Sequence, residues 1–259
     1  MTRTKIEYGE RNWNPVTGCS AGCPWGCWAA AVAGRFPLLH HEDGESKFSG
    51  APPVDFKAPI IHRERLRQPL GDRIPRRILV SFMGDLFGPE IPAGFIGEVC
   101  AIMAAAHWHT FFLLTKRAEN LGVLSSGILP DNAFIGVSIT NQAEADERIP
   151  LLLNVPAKNR WLSIEPMLGP IDLAYSCFNG ADSLGSLEGI HWVVVGSIDY
   201  PTKTFPAPKR GWIEAIRTQC RHAGVPLWEK KNLALRWGRP PGRVAVIEDR
   251  ELLKQRADL

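Results

Sequence analysis

The sequence of 259 residues contains no apolar run near the roughly 20 residues that a membrane-spanning helix needs. Its N-terminal segment, MTRTKIEYGE, lacks the apolar core of a secretory signal. The net charge of +3 is too small to imply a polyanionic partner by itself. Together these absences predict a cytoplasmic protein that does not enter a membrane.

Features of two further protein classes are also missing. Six cysteines are present, but Cys100, Cys177 and Cys220 are scattered and the other three lie within nine residues. A disulfide framework is typical of small secreted chains, whereas this chain is long enough to build a core. No G-x-G-x-x-G motif follows the first predicted strand, which argues against a dinucleotide-binding fold.

What the chain does contain is a recurring pattern of a short β-rich run, polar residues and a helical stretch. Continuous apolar strands separated by helices are typical of a parallel sheet covered by helices. The pattern predicts strands at 77–83, 110–115, 133–139, 161–164, 191–196 and 225–228, and helices at 92–106, 118–124, 142–153 and 213–223. Six or seven such units predict one α/β domain over 1–259, a complete or partial β/α barrel with about six to seven parallel strands.

Two stretches interrupt the pattern and are predicted to be loops, at 38–59 and at 175–189. Ligands of parallel α/β folds bind beyond the carboxyl ends of the strands. The polar residues that follow the strands are therefore site candidates, although most strands of such folds are followed by a polar residue. They are Ser81, Gly84, Asp85, Thr115, Lys116, Arg117, Ser138, Thr140, Ser163, Glu165, Ser197, Asp199, Glu229 and Lys230.

A cluster of thiols gives the strongest chemical signal. Cys19, Cys23 and Cys27 have the spacing C-x3-C-x3-C, and the small residues between them, Gly22 and Gly26 included, allow the backbone to wrap one metal centre. Thiolates suit zinc, copper(I) and iron–sulfur clusters. Three of them leave a tetrahedral ion or a cubane one ligand short.

The missing ligand separates the alternatives. A structural zinc site uses four ligands, and the nearest candidates for a fourth are His40 and His41. A cubane held by three cysteines keeps one iron open, and that iron can bind the amino and carboxylate groups of S-adenosylmethionine (SAM). A [4Fe–4S] cluster is the favoured interpretation, with structural zinc and unligated or redox thiols as alternatives.

The three-cysteine loop, placed before a β/α barrel, resembles the radical SAM superfamily. The usual spacing there is C-x3-C-x2-C with an aromatic residue just before the last cysteine. This chain has one more residue in the second gap, and Trp25 stands two places ahead of Cys27. The cluster geometry therefore departs from the pattern at this point.

A closer resemblance is to a phage-associated family of proteins with a three-cysteine motif, regarded as radical SAM-like. The matching segments are ordered along nearly the whole chain, at 13–19, 65–70, 81–87, 114–117, 135–138, 145–150 and 162–170. The chain departs from that family's pattern at 195–198 and at 228–232. Both departures follow predicted strands, so the resemblance leaves substrate choice open.

The resemblance implies an enzyme that cleaves SAM reductively to a 5′-deoxyadenosyl radical, which acts on an unknown substrate such as a nucleic-acid base. It also implies an electron donor. The segment Ser81, Gly84 and Asp85 would meet the methionine ammonium, Lys116 the carboxylate, and Ser138 or Glu165 the ribose hydroxyls. The alternatives are a helix N-cap or a turn residue for Asp85, a solvated helix start for Lys116 and a buried salt bridge for Glu165.

The segment 62–77 holds six arginines in sixteen residues and predicts either contact with nucleic acid or a solvated helix face. Trp228 and Trp237 lie among later basic residues and could stack bases. A second hypothesis is therefore a binding module without turnover. In that case a metal or cluster would only stabilise the barrel, and the partner would be a nucleic acid or a protein.

Overall fold

The structure is a computed structural model and describes residues 1–35, 55–177, 187–198 and 204–233. The chain divides into two compact units, Met1–Phe134 and Ile135–Leu259, and each is described by itself. Among the described residues, no helix has both the length and the apolar character to cross a membrane.

The first unit is built on parallel strands in the order β1-β2-β5-β6. β2 pairs with β5 and β5 with β6 in parallel, while β1 is antiparallel to β2, and β3 and β4 form a separate antiparallel pair. The strands are β1 (Thr2–Arg3), β2 (Arg11–Trp13), β3 (Val16–Thr17), β4 (Ile60–Ile61), β5 (Arg77–Val80) and β6 (Thr110–Thr115). The helices are α1 (Trp28–Arg35) and α2 (Ala93–Ala105), with 3₁₀ turns at Arg63–Arg65, Gln68–Gly71 and Ala118–Leu124.

Apolar residues fix these elements in place. The central strands β5 and β6 bury Ile78, Leu79 and the run 111–113, as expected for strands covered on both faces. α2 buries five side chains at helical spacing: Phe95, Ile96, Val99, Cys100 and Met103. This stripe is the face that a helix presents to a core.

The second unit has the strand order β7-β8-β9-β10, and β8, β9 and β10 are parallel. Its strands are β7 (Ala133–Ile139), whose first two residues belong to the first unit, β8 (Asn159–Ile164), β9 (Trp192–Val195) and β10 (Leu227–Glu229). Its helices are α3 (Gln142–Leu153), α4 (Leu173–Cys177) and α5 (Arg210–Ala223). The Asn141 side chain accepts a hydrogen bond from the Glu144 amide and so caps α3.

The predicted α/β class with mostly parallel strands is confirmed. The strands at 110–115 and 133–139 and the helix at 142–153 have the predicted bounds. The strand predicted at 77–83 ends at Val80 because the backbone of Ser81 is left-handed, with φ of 55°. The helical stretch at 118–124 is a 3₁₀ helix.

The remaining boundaries shift by a few residues, and the two loop predictions are tested only in part. The last helix begins at Arg210 and the last strand at Leu227, each displaced from the predicted start. Of the loop predicted at 175–189, residues 175–177 are helical and 178–186 lie outside the described residues. Most of the loop predicted at 38–59 also lies outside them. The single domain over 1–259 stays a prediction.

Replacing Gly136 by Ala in β7 should destabilise the protein. A Cβ atom at this position would lie 2.5 Å from the Nε1 atom of Trp161, whose ring is fully buried. Overpacking of this kind costs about 1–3 kcal/mol, and urea unfolding of the two proteins measures the loss.

Gly97→Ala is the matched control, because a Cβ atom there meets nothing within 4 Å and the residue lies inside α2. The free energy of unfolding of this variant should rise by about 0.5–1 kcal/mol, since alanine favours the helix. Equal effects of the two changes would contradict the packing described for Trp161.

Candidate functional site

The cysteine loop, residues 18–27, connects β3 to α1. Gly18, Gly22 and Gly26 have φ angles of 84°, 64° and 88°, which L side chains rarely adopt. The Gly26 amide donates a hydrogen bond of 3.2 Å to the Cys23 carbonyl, closing a tight turn between the second and third cysteines. The glycines therefore give the loop the curvature that the sequence predicted.

None of the three cysteines of the cysteine loop forms a disulfide, and all three are partly buried. Burial raises the pKa of the Cys19 thiol, and the nearby charges of Asp85, Cys23 and Cys27 raise it further. The Ala21 amide opposes this by donating a hydrogen bond of 3.4 Å to the Cys19 sulfur. The mutual influence of these groups places the three sulfurs in one electrostatic neighbourhood, where a bound cation would favour their thiolate forms.

A single metal ion and a cluster make different demands on the three thiols. Within the part of the chain that the structure describes, no group of three or more His, Cys, Asp or Glu side chains is arranged to hold one metal ion. Structural zinc needs four ligands at about 2.0–2.3 Å from one centre. Each cysteine of a cubane instead binds a different iron, so its thiolates can stand further apart. His40 and His41, the candidates for a fourth ligand, lie outside the described residues.

The start of the cysteine loop is clamped against the end of β5. The Gly18 amide donates to the Met83 carbonyl at 2.9 Å, and Gly18 forms an isolated parallel bridge with Gly84. On the other side, the Cys19 amide donates to the Phe56 carbonyl at 2.8 Å. A Cβ atom on Gly84 would lie 2.7 Å from the Gly18 carbonyl oxygen. Only glycine at 84 permits this approach.

Ser81 begins the turn that meets the loop, and it is strained. Its φ of 55° is the one positive value of a non-glycine residue among the described residues, and such strain costs on the order of 1–3 kcal/mol. Its hydroxyl is buried and has no hydrogen-bond partner within the described part of the chain. Strain and an unsatisfied buried polar atom are typical of functional sites, and the predicted ligand role of Ser81 stays a prediction.

Asp85 links the ends of β5 and β6. Its carboxylate accepts hydrogen bonds from the Thr115 hydroxyl at 2.8 Å, the Phe87 amide at 3.0 Å and the Lys116 amide at 3.1 Å. Burial raises the pKa of Asp85 despite these bonds. The bond to the Phe87 amide is that of a turn residue, one of the two alternatives for this position. Contact with a methionine ammonium stays a prediction.

Lys116 follows β6 and is partly exposed. Its positive charge lowers the pKa of Asp85, so the two groups lie within electrostatic reach. The first unit therefore brings together the three cysteines, Gly84, Asp85 and Lys116. The predicted contact of Lys116 with the methionine carboxylate stays a prediction.

The remaining two candidates belong to the second unit. Glu165 forms an ion pair of 2.5 Å with Lys230, and each side chain is about one-fifth exposed. This is the salt bridge that the sequence left open for Glu165, and a ribose contact stays a prediction. Ser138 is buried in β7, and its carbonyl accepts a hydrogen bond of 2.6 Å from Arg148.

Sequence reasoning missed two residues that shape these sites, Gly18 and Asn232. Gly18 stands beside a cysteine, and nothing in its spacing indicates its bridge to Gly84. Asn232 donates to the Ser197 carbonyl at 2.7 Å and accepts from the Ser197 amide at 3.1 Å. Among the other candidates, Glu229 pairs with Arg217 at 2.8 Å, and Asp199 lies outside the described residues.

The arginine-rich segment is largely neutralised by its neighbours. Its residues form 3₁₀ turns rather than one helix face. Four arginines pair with carboxylates, and a fifth stacks on an indole: Arg63 with Glu98, Arg65 with Glu64, Arg76 with Asp72, Arg77 with Glu10, and Arg73 over Trp108 at 4.2 Å. Contact with nucleic acid stays a prediction.

Comparison with known proteins gives one family and one fold. The family model of DUF5131, a protein of unknown function, matches residues 3–239. No curated protein matches the chain.

Among solved structures, a double mutant of spore photoproduct lyase with bound AdoMet and dinucleoside spore photoproduct is similar, with a TM-score of 0.51 and 12% identity. A Tyr-to-Phe mutant of that lyase and its complex with dinucleoside spore photoproduct each give a TM-score of 0.50 at 12% identity. In all three, 84% of this chain and 62% of the other chain are covered. At this identity the likeness shows the fold alone.

Gly84→Ala should loosen the clamp on the cysteine loop. The added methyl group meets a backbone oxygen, which cannot move away as a flexible side chain can, so we expect a loss of about 1–3 kcal/mol in urea unfolding. Gly71→Ala, where the new Cβ meets nothing within 4 Å, should change stability by less than about 0.5 kcal/mol. A tolerated Gly84→Ala would contradict the close approach of Gly18.

Asp85→Asn should change how stability depends on pH. The pKa of Asp85 is raised in the folded state above its ordinary 3.8, so this carboxyl contributes stability that is present below that pKa and is lost as pH rises through the folded pKa. The free energy of unfolding of wild type minus that of the variant should therefore fall from acidic towards neutral pH. Urea unfolding at several pH values measures it, and a difference that rises with pH would contradict the assignment.

Proposed function

The chain belongs to the DUF5131 family of proteins of unknown function, and from that premise we propose that it is a radical SAM-type enzyme with a [4Fe–4S] cluster on Cys19, Cys23 and Cys27. The observation that carries the proposal is the clamped loop of three partly buried thiols in a chain with a radical SAM-like fold. A structural neighbour has AdoMet bound, and we propose the same ligand for this chain.

Each part of the first unit has a proposed task. When bound, the cluster and SAM supply one-electron cleavage of a carbon–sulfur bond, which releases a 5′-deoxyadenosyl radical. The three thiolates hold the cluster, and the glycines of the cysteine loop give it the required curvature. The hydrogen bond from the Ala21 amide to the Cys19 sulfur stabilises negative charge on that ligand.

The predicted ammonium site consists of Ser81, Gly84 and Asp85. A buried carboxylate whose pKa is raised by burial gains from a neighbouring cation. Thr115 and the amides of Phe87 and Lys116 hold that carboxylate in one orientation, so it is positioned before a ligand arrives. Among the described residues the buried Ser81 hydroxyl has no partner, which suits a residue that completes its hydrogen bonds with a ligand.

The finer assignments belong to the same proposal. Lys116 is assigned to the methionine carboxylate, and Ser138 or Glu165 to the ribose hydroxyls. The phage-associated three-cysteine family is proposed as the closer kin, with a nucleic-acid base as candidate substrate. A reduced partner must deliver the electron. Two of the structural neighbours have a dinucleoside spore photoproduct bound, which supports a base-containing substrate.

Metal analysis of protein purified without oxygen tests the cluster. Wild type should contain about four iron and four sulfide per chain, and Cys23→Ser should lose most of both. Cys100→Ser is the control and should keep the cluster, because burial raises the pKa of the Cys100 thiol to about 12 and the residue lies on the core face of α2. SAM cleavage after reduction is measured on the same samples.

Two outcomes would overturn the proposal. One zinc per chain, bound by four side chains, would favour the binding module in place of the enzyme. A fully loaded and reduced sample that never produces 5′-deoxyadenosine would remove the radical chemistry even if the cluster is present.

A further inference from the structure

Residues of three adjacent strands in the second unit are paired in register. Ser163 on β8 is in register with Val194 on β9, and Val194 with Trp228 on β10. Amide-to-carbonyl bonds from Gly196 to Ile164 and from Lys230 to Val195, both 3.0 Å, continue the ladder past the strand ends. The next row on the same face therefore consists of Glu165, Gly196 and Lys230, because successive side chains alternate between faces.

The other face of these strands is covered by a helix. Glu229, which alternates with Trp228 and Lys230, forms two hydrogen bonds of 2.8 and 3.0 Å with Arg217 of α5. Val195 on β9 is in register with Glu229, and Ile164 on β8 is in register with Val195; both Val195 and Ile164 are buried. Trp228, Lys230 and Glu165 thus share the face that points away from α5.

Glycine at 196 allows an ion pair to cross a strand. Glu165 on one side and Lys230 on the other are separated by β9, a span of about two strand spacings of 4.8 Å. Their side chains meet over Gly196, where a Cβ atom would lie 2.5 Å from the Glu165 Oε1 atom and 2.8 Å from its Cγ atom. The pair lies at the carboxyl end of parallel strands, where ligands of this fold class bind.

Trp228 adds a donor to the same face. Its indole N–H is buried and has no hydrogen-bond partner among the described residues. An indole nitrogen can only donate, and a buried donor left unpaired is costly. The side chain as a whole is partly exposed.

The chain after β10 is fixed around these groups. The amide of the Asn232 side chain pairs with both the N–H and the carbonyl of Ser197, as a neighbouring strand would. These two hydrogen bonds join the segments that follow β9 and β10. The backbone that carries Trp228 and Lys230 is therefore fixed in place. A site whose groups are positioned before the ligand arrives favours selective binding.

We propose that Trp228, Lys230 and Glu165 recognise a planar cyclic imide, the acceptor–donor–acceptor edge that a uracil ring presents. The inference rests on the proposed function and names the substrate class of that enzyme. It takes Glu165 as a substrate contact in place of the ribose contact expected from the resemblance.

The charges of the three groups select this class. Glu165 opposes a purely anionic ligand such as phosphate, and Lys230 opposes a purely cationic one. Two donors, on Trp228 and Lys230, and one acceptor, on Glu165, match a neutral ligand with two acceptors and one donor. An imide has two carbonyl oxygens on either side of one N–H group, whereas the cytosine edge carries an amino donor and lacks the ring N–H.

Calorimetric titration of the cluster-loaded protein with uridine tests the inference. Uridine should bind about tenfold more tightly than 3-methyluridine, which lacks the ring N–H, and than cytidine, because one hydrogen bond is worth about a factor of ten. Trp228→Phe keeps an aromatic ring but removes the donor, and it should weaken uridine binding by roughly fivefold to tenfold. Trp212→Phe removes an indole from α5 and should leave binding unchanged.

Several results would overturn the inference. These are equal affinities for the three nucleosides, no binding of uridine at millimolar concentration, inorganic phosphate competing for the site, or equal effects of the two tryptophan changes. Uridine binding without SAM cleavage would overturn the proposed function alone, and SAM cleavage without uridine binding would overturn this inference alone.

Discussion

The backbone contact between Gly18 and Gly84 is the constraint on which the candidate site depends. It joins the cysteine loop to the carboxyl end of β5, and a Cβ atom on Gly84 would prevent it. The Met83 and Phe56 carbonyls complete the attachment by accepting from consecutive amides of the loop. The backbone of the first cysteine is thereby attached to the end of β5 and to Phe56.

Several groups next to that contact are in states that cost free energy. Burial raises the pKa of both Cys19 and Asp85. The neighbouring Ser81 is strained, and its hydroxyl finds no partner in the described part of the chain. Natural proteins retain such local costs mainly where function requires them. A cationic metal centre and a ligand with an ammonium group would offset each of these costs, which makes the site consistent with the proposed cofactor pair.

The sequence predicted the framework better than the site. Apolar runs such as 110–115 and 133–139 determined their strands, because burial on both faces leaves little choice of residue. The predicted end of the strand at 77–83 was wrong, since the left-handed backbone of Ser81 depends on tertiary contacts that no local pattern shows. Long-range partners were equally hidden: Asp85 with Thr115, and Glu165 with Lys230, are joined only once the strands are parallel. The cysteine spacing was visible at once because its chemistry is local.

The ion pair over Gly196 has a mechanical consequence. Glu165 and Lys230 connect β8 to β10, two strands that share no ladder hydrogen bonds with each other because β9 lies between them. A sideways displacement or twist of β10 would therefore pull on β8 directly as well as through β9. A ligand that takes the carboxylate of Glu165 or the ammonium of Lys230 for itself must therefore break the direct connection between these two strands.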